Sequence, residues 1–406
     1  MNPSFPNENY VFVGDSGTGS EGGSSARPEL MAANSNLETQ FLSTLVDPKS
    51  GRFLPGVEKK IFGEKDEYVG YLAKGQREGR GLCFFMNGDR YFGNWNANKM
   101  HGEGHFIFAN GERYSGSLEN NNRHGKGTFY YLNGNRFEGE WKDGLKEGFG
   151  TFTFREWGEI YKGHFVRDKR QGFGSYFFAT GEVYNGNYVN NARSGQGELV
   201  FTDGSVVKGE WASGMLNGNA VFTYANGEKY TGSFKTNERD GKGTYLYEDG
   251  SVYTGEWKRG QKNGEGVYDF ANGDRYEGEF LNDARSGSGA YKSANGAIYI
   301  GEWKNDLEDG YGELTSSSAD KFSGQWTRGT KNGLGTMEYA NGDLYQGNWV
   351  DGNRHGRGLY HWKSNDSEYE GFWSNNKMHG KGKLKLGKTG ELFEVEYDQG
   401  NCISKK

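Results

Sequence analysis

Cysteine is nearly absent from this chain of 406 residues, which has only Cys83 and Cys402. A small secreted fold stapled by disulfides needs several pairs, so a reducing, intracellular setting is expected. Long apolar runs are missing too. No stretch approaches the ~20 apolar residues that cross a bilayer, and Met1-Asn2-Pro3 does not open a basic segment followed by an apolar one. Asn2 excludes N-myristoylation, and Cys402 stands one residue too early for a prenylation box. The expectation is a soluble or peripheral cytoplasmic protein. There is no basic surplus either: 48 Lys and Arg are interspersed among 54 Asp and Glu, a formal charge of −6. That argues against nucleic acid as a partner. Finally, only 33% of residues are hydrophobic, too few for a large aliphatic core.

What the chain has instead is glycine, 69 residues, and aromatics, with 27 Phe and 26 Tyr. Apolar burial must come from rings packed against glycine in many small cores, each ring contributing roughly 1.5–3 kcal/mol. These residues recur with a period of 23, lengthened to 24 at three steps near turns, where insertions are tolerated. Fourteen repeats start at 68, 91, 114, 137, 161, 184, 207, 230, 253, 276, 299, 322, 345 and 369, and a degenerate fifteenth starts at Phe393.

Position 1 of a repeat is aromatic in all but one, position 3 is always Gly, and position 5 is Trp in eight. Tyr91-Gly93-Trp95, Phe137-Gly139-Trp141, Tyr253-Gly255-Trp257 and Tyr299-Gly301-Trp303 are the expected structural core. Positions 12 and 14 are both Gly in thirteen repeats, 16 and 18 are mostly apolar, and each repeat closes on Asn-Gly or a variant, such as Asn110-Gly111. Every one of these positions keeps the period of a strand, so 1, 3 and 5 share one face while 2 and 4 point the other way. Each repeat therefore reads as a β-hairpin, with Asn-Gly as the tight turn to the next strand. The expected fold is all-β, an elongated, twisted antiparallel sheet of about fourteen stacked hairpins, on the order of 130 Å long at about 4.8 Å per strand. The glycine at position 3 is expected to leave a slot for a neighbouring repeat's ring. Ala220, the lone departure at position 14, points to a demand for smallness there more than for positive φ.

These repeats, from 68 to about 392, resemble the MORN repeat (membrane occupation and recognition nexus). MORN arrays occur in junctional membrane proteins, radial-spoke heads, protist cytoskeletal scaffolds, plant phosphatidylinositol-phosphate kinases and a lysine methyltransferase. In the last two a catalytic domain accompanies the array, and no segment of that size remains here. The resemblance to array-only members implies a non-catalytic scaffold that binds cytoskeletal or axonemal proteins, in a cilium or flagellum or at the membrane-associated cytoskeleton. Self-association through open sheet edges is also expected. Two other readings are a phospholipid-binding membrane tether and a regulatory subunit of a separate phosphatidylinositol-phosphate kinase or methyltransferase. A tether lacks the polybasic cluster that an anionic leaflet attracts, so weak or no membrane binding is expected.

Three segments organise the chain. Residues 1–60 form an N-terminal segment whose stretch Gly14–Ser25 reads as flexible coil. Within it, Ser35 with Glu38 resembles a capping box before Leu37, Phe41, Leu42 and Leu45, predicting a helix over 36–46 that docks on the first hairpin or binds a partner. Residues 61–392 form the array, with Ile61 and Phe62 as a half-repeat edge strand. Residues 393–406 form a degenerate cap and tail, with Val395 where Gly is expected.

Catalytic chemistry is not visible. Gly17-Thr18-Gly19-Ser20-Glu21-Gly22 matches GxGxxG, but neither a βαβ context nor Gly-Lys-Ser/Thr follows. His101, His124, His355 and His379 share a position that elsewhere holds Ser194, Asn263, Asp240 or Gln171, as a turn surface would. The acidic turns, such as Asn272-Gly273-Asp274, lack the alternating ligands of a calcium loop. Asn365-Asp366-Ser367 fits a glycosylation sequon but reads as an irregular turn. No catalytic, cofactor or metal site is assigned. One pattern exceeds the motif: position 5 alternates between Trp and smaller residues, and Arg at position 10 tracks the smaller class, in Arg123, Arg170, Arg193, Arg239 and Arg285, with Arg354 the exception. These guanidinium groups either form a partner-binding row about 19 Å apart, suited to acidic tails or phosphates, or cover neighbouring rings.

Overall fold

A computed structural model describes residues 28–63 and 65–406. Gly14–Ser25 and the GxGxxG stretch lie outside the described residues. Among the described residues, the regular elements are one helix, Pro28–Ser43, and 31 strands. The chain divides into two compact parts after Gly218. In the first, fourteen strands from Val57–Phe62 to Val206–Ala212 each pair antiparallel with the next in the chain. In the second, sixteen strands from Lys229–Lys235 to Asn401–Lys405 do the same.

Each repeat is a hairpin of a seven- or eight-residue strand and a nine- or ten-residue strand, as in Arg90–Asn96 with Lys99–Ile107. The tight turn is not at Asn-Gly. It lies between these strands, at positions 7 and 8, where both residues have positive φ: Ala97 and Asn98 at 45° and 69°, Asn120 and Asn121 at 50° and 75°. This is the type I′ turn whose twist matches the flanking strands, and Asn, Asp or Gly holds position 8 throughout. Asn110-Gly111 closes a wider loop. There Gly111 N–H donates to Phe108 O and Phe108 N–H donates to Glu112 O, so only the glycine turns left-handed, at 97°.

The glycines have two separate causes. Position 12 is left-handed in every repeat, from Gly79 at 62° to Gly380 at 69°, where the second strand carries two more residues than the first across a register shift. Positions 3 and 14 lie side by side beneath a ring: a Cβ on Gly93 or Gly104 would fall inside the ring of Tyr91. The ring that fills the slot is thus the repeat's own, not a neighbour's, because the position 1 side chain folds along its own strand. Its hydroxyl is then anchored on the carbonyl of position 4, Tyr91 to Asn94 at 2.8 Å and Tyr253 to Glu256 at 3.0 Å. Burial pushes both phenols above their usual range. The repeat with Ala220 at position 14 begins with Val207 and has no ring to seat.

Tryptophan joins repeats. All eight at position 5 donate their indole N–H to the position 14 carbonyl of the preceding repeat, as Trp95 to Gly81 at 3.0 Å and Trp303 to Gly289 at 3.2 Å. Seven of them also meet the position 1 rings of both repeats edge-on, as Trp95 with Tyr91 at 5.1 Å and with Tyr68 at 5.7 Å; Trp211, whose own repeat begins with Val207, meets that of Tyr184. Such pairs contribute about 0.5–1.5 kcal/mol each beyond burial. Within each part the front face is therefore an aromatic ladder, with aliphatic rungs in the first such as Leu118 and Val207.

The back face, positions 2, 4, 13, 15 and 17, is buried where the helix covers it. Leu82, Phe92 and Ile107 are fully buried under Leu37, Phe41 and Leu42, and Leu45 is buried with Val57 and Val69. The helix starts at Pro28, eight residues before the expected start at 36, with proline at its first position, where a missing N–H costs nothing. Ser35 and Glu38 are mid-helix; Glu38 pairs with Arg90 at 2.6 Å instead of capping. Buried Asn34 donates to Gly111 O at 3.1 Å. Val57–Phe62 forms the edge strand, pairing with Asp66–Ala73. At the far end, Leu392–Asp398 and Asn401–Lys405 add a last hairpin in which Val395 is buried.

Candidate interaction surface

Two edges and one face of the array present side chains that vary between repeats. Along the I′-turn edge, the position 8 backbone N–H of one repeat donates to the position 10 carbonyl of the repeat before it, as Asn98 to Arg77 at 3.0 Å and Gly260 to Arg239 at 2.9 Å. Where position 8 is Asn or Asp, its side chain also accepts from the position 10 N–H: Asn98 from Arg77 at 2.8 Å, Asp283 from Lys262 at 2.8 Å. This edge is bonded from repeat to repeat.

The arginines of position 10 take part in that bonding. Arg123 lies 4.3 Å from the Trp141 ring, Arg193 4.5 Å from Trp211, Arg239 4.3 Å from Trp257 and Arg285 4.3 Å from Trp303, while Arg170 is 5.0 Å from Tyr188. Arg123, Arg239 and Arg285 also donate to the position 8 carbonyls of Gly144, Gly260 and Asp306, each at 2.7 Å. Arg170 and Arg193 are almost fully buried. The guanidinium groups thus cover rings of the repeat that follows. This explains the alternation: Arg tracks not the small residue of its own repeat but the Trp or Tyr of the next. Arg354 stops being an exception, since it lies 4.6 Å from Trp373, and Arg77, 4.4 Å from Trp95, joins the series. Lysine at position 10 covers the next ring from farther away, as Lys262 over Phe280 at 5.7 Å.

The histidines of position 11 stand singly. His124 faces Glu119 at 3.4 Å and His379 faces Asp398 at 3.5 Å. Among the described residues, no three His, Cys, Asp or Glu converge as metal ligands, and no helix is long and apolar enough to cross a membrane. On the other edge, Asp274 accepts from Tyr291 and Asp343 accepts from Tyr360 at 2.8 Å. The Tyr291 hydroxyl holds the Asp274 carboxyl below its usual range. Burial works against Asp343, but Tyr360 and the Lys363 N–H still hold its carboxyl low.

What remains open is the back face. In the first part, a trough of about 450 Å³ includes Ser115, Thr128, Glu138 and Phe149, and Phe149 and Phe173 are more than half exposed at position 13 of successive repeats. In the second part, a trough of about 990 Å³ is lined, among others, by Leu334, Arg357, Leu359, Phe372, Lys381 and Lys383, which stand at positions 4, 13 and 15. Leu334 is 67% exposed, which a core residue would not be.

Fourteen consecutive stretches, from 68–90 to 369–388, match the MORN repeat. The chain belongs to the MORN repeat family. No curated relative matches it. Among solved structures, the MORN array is similar to the TCP domain of Drosophila melanogaster SAS-4 in complex with a proline-rich motif of Ana2, at 13% identity and a TM-score of 0.26, covering 44% of this chain and 90% of that one. It is also similar to the TCP10 domain of Danio rerio CPAP in complex with a peptide of STIL, at 11% identity and a TM-score of 0.25, covering 66% and 92%. The tyrosine, glycine and tryptophan that define the MORN match are the residues that hold the front face together. The position 8 turn and the exposed position 13 side chains escaped the sequence reading, which offered ring cover as one of two roles for the arginines without saying which ring. Comparing position 10 with position 5 one repeat later, instead of within its own repeat, shows which ring each arginine covers.

Proposed function

We propose that this MORN repeat protein is a non-catalytic scaffold whose back face binds other proteins. The observation that carries the reading is the contrast between faces. Front-face positions are committed to packing in every repeat, while back-face positions change residue type freely and expose large side chains such as Phe149, Phe173, Leu334 and Phe372. Exposed apolar residues grouped on one face mark interaction sites, and a repeated face gives avidity without one strong site. A ciliary or axonemal assembly, or the membrane-associated cytoskeleton, is the setting we assign to it, in keeping with array-only members of the family. The test is to localise a tagged full-length chain and identify co-purifying proteins after Phe149→Asp and Phe173→Asp. Loss of the same partners in the variant supports the reading; an unchanged set overturns it. Sedimentation with vesicles containing phosphatidylserine separates this from a lipid tether, for which binding that survives the substitutions is required.

A further inference from the structure

Across the fourteen repeats, position 13 is Arg with Leu at position 15 only twice: Arg80 with Leu82, and Arg357 with Leu359. The first pair sits under the helix. Arg80 stacks on Phe41 at 5.2 Å, and Leu82 is fully buried among Leu37, Phe41 and Leu42. The second pair stands at the same repeat positions in the open trough of the second part, with Arg357 turned onto Phe372 at 5.3 Å. One arrangement of side chains is thus filled at one place and vacant at another.

We infer that the trough around Arg357 and Leu359 is a docking site for an amphipathic helix of a partner protein, with an aromatic residue on its apolar strip and carboxylates on its flanks. This deepens the scaffold reading and rests on it. The dimensions suit a helix laid across strands, as the resident helix lies. The trough runs from Leu334, on Thr330–Glu338, to Ser404, on Asn401–Lys405. That is six strand spacings, about 29 Å, the length of a helix of roughly 19 residues. The charge suits acidic flanks. Arg357, Lys381, Lys383 and Lys406 line the trough, and none of them makes an ion pair among the described residues. Glu370 and Glu394 both stand across strands from Lys383, Glu396 stands across from Lys381, and Glu394 also faces Lys406 through paired backbone bonds, so of the four basic groups Arg357, opposite Phe372, is the one with no carboxylate across from it. The resident helix meets its own basic rim in the same way, through Glu38 on Arg90.

The probe is a synthetic peptide of residues 28–46, which carries Phe41, Leu37, Leu42 and Glu38, titrated into the full-length chain by fluorescence anisotropy. Because the resident helix already covers Arg80 and Leu82, added peptide should occupy the open trough. Saturable binding is expected, weakened at least ~10-fold by Arg357→Glu or Leu359→Asp in the chain and by Phe41→Ala in the peptide. Arg357→Glu alters an exposed side chain, so it keeps the test valid if Leu359→Asp disturbs folding; a thermal melt checks both. No saturable binding, or binding unchanged by Arg357→Glu, overturns the proposal. So does binding abolished instead by Arg80→Glu, which means exchange at the resident site, or a dimer lost with Arg357→Glu, which makes a second copy the occupant. If co-purifying partners are retained when Arg357→Glu has no effect on them, this site falls and the scaffold reading stands.

Discussion

Arg80 with Leu82 and Arg357 with Leu359 occupy equivalent places in two repeats, yet the first pair is covered by a helix and the second faces solvent. The front faces beneath them are alike: Tyr68 seats over Gly81, Tyr345 over Gly358, and Trp95 and Trp373 each donate to those glycine carbonyls. Covering the back face is therefore independent of building the sheet. The sheet is held by rings and glycines on one side, leaving the other side free to be used.

The strongest way to break that comparison is through the glycines. Gly81→Val and Gly358→Val each place a side chain inside a tyrosine ring, and each should destabilise its local hairpins by about 2–3 kcal/mol, read from amide exchange. If covered and open regions are built alike the two losses agree, and a difference above ~1 kcal/mol means that the helix supports the sheet it lies on. Next in size is Phe41→Ala, which removes the stacking on Phe92 and Arg80 from a half-buried site and should cost about 1–3 kcal/mol of helix docking. Exchange should rise across Pro28–Ser43 while Thr330–Lys405 stays unchanged.

Arg77→Ala and Arg354→Ala test the turn edge in the same two regions. Each loses a ring contact, to Trp95 and Trp373, and one hydrogen bond, from Arg77 to Cys83 Sγ at 3.3 Å and from Arg354 to Asn376 O at 2.9 Å, so losses near 1 kcal/mol are expected, with Arg354 the larger because a carbonyl oxygen accepts more strongly than a thiol sulfur. A smaller effect is confined to the second part. Asp343 is held low when folded, so its contribution is present above the ordinary carboxylate range and is lost as pH falls through the lowered value. Asp343→Asn should flatten the acid side of the stability profile; an unchanged profile would remove the Tyr360 bond from the account. Smallest of all, burial pushes the Cys83 thiol up to about 11 while Cys402 is exposed, so a maleimide at pH 8 should label Cys402 and spare Cys83.

Much of this was legible beforehand. The repeat starts, the hairpin and the packing role of Tyr91, Gly93 and Trp95 follow from a period of two within a period of 23. The turn was misplaced because Asn110-Gly111 carries the stronger pair signal, whereas Ala97-Asn98 adopts the tighter turn. That choice is made by the twist of the paired strands, not by the dipeptide alone. The helix was legible as a helix but its start was not, since Ser35 and Glu38 match a cap only while the contact of Glu38 with Arg90, 52 residues away, is out of view. Ring cover was one of two roles read for position 10, but the ring was hidden for a related reason: Arg239 and Trp257 are 18 positions apart, in different repeats, and meet only when hairpins stack.

By itself, then, the amino-acid order determined what repeats, which face is aromatic and where only glycine can stand, because these depend on spacing along a strand. Which repeat's ring fills which slot, which tryptophan each arginine covers, and which Arg–Leu pair is covered and which left open were decided by tertiary structure. Those choices depend on the register between neighbouring hairpins and on where a single helix comes to rest.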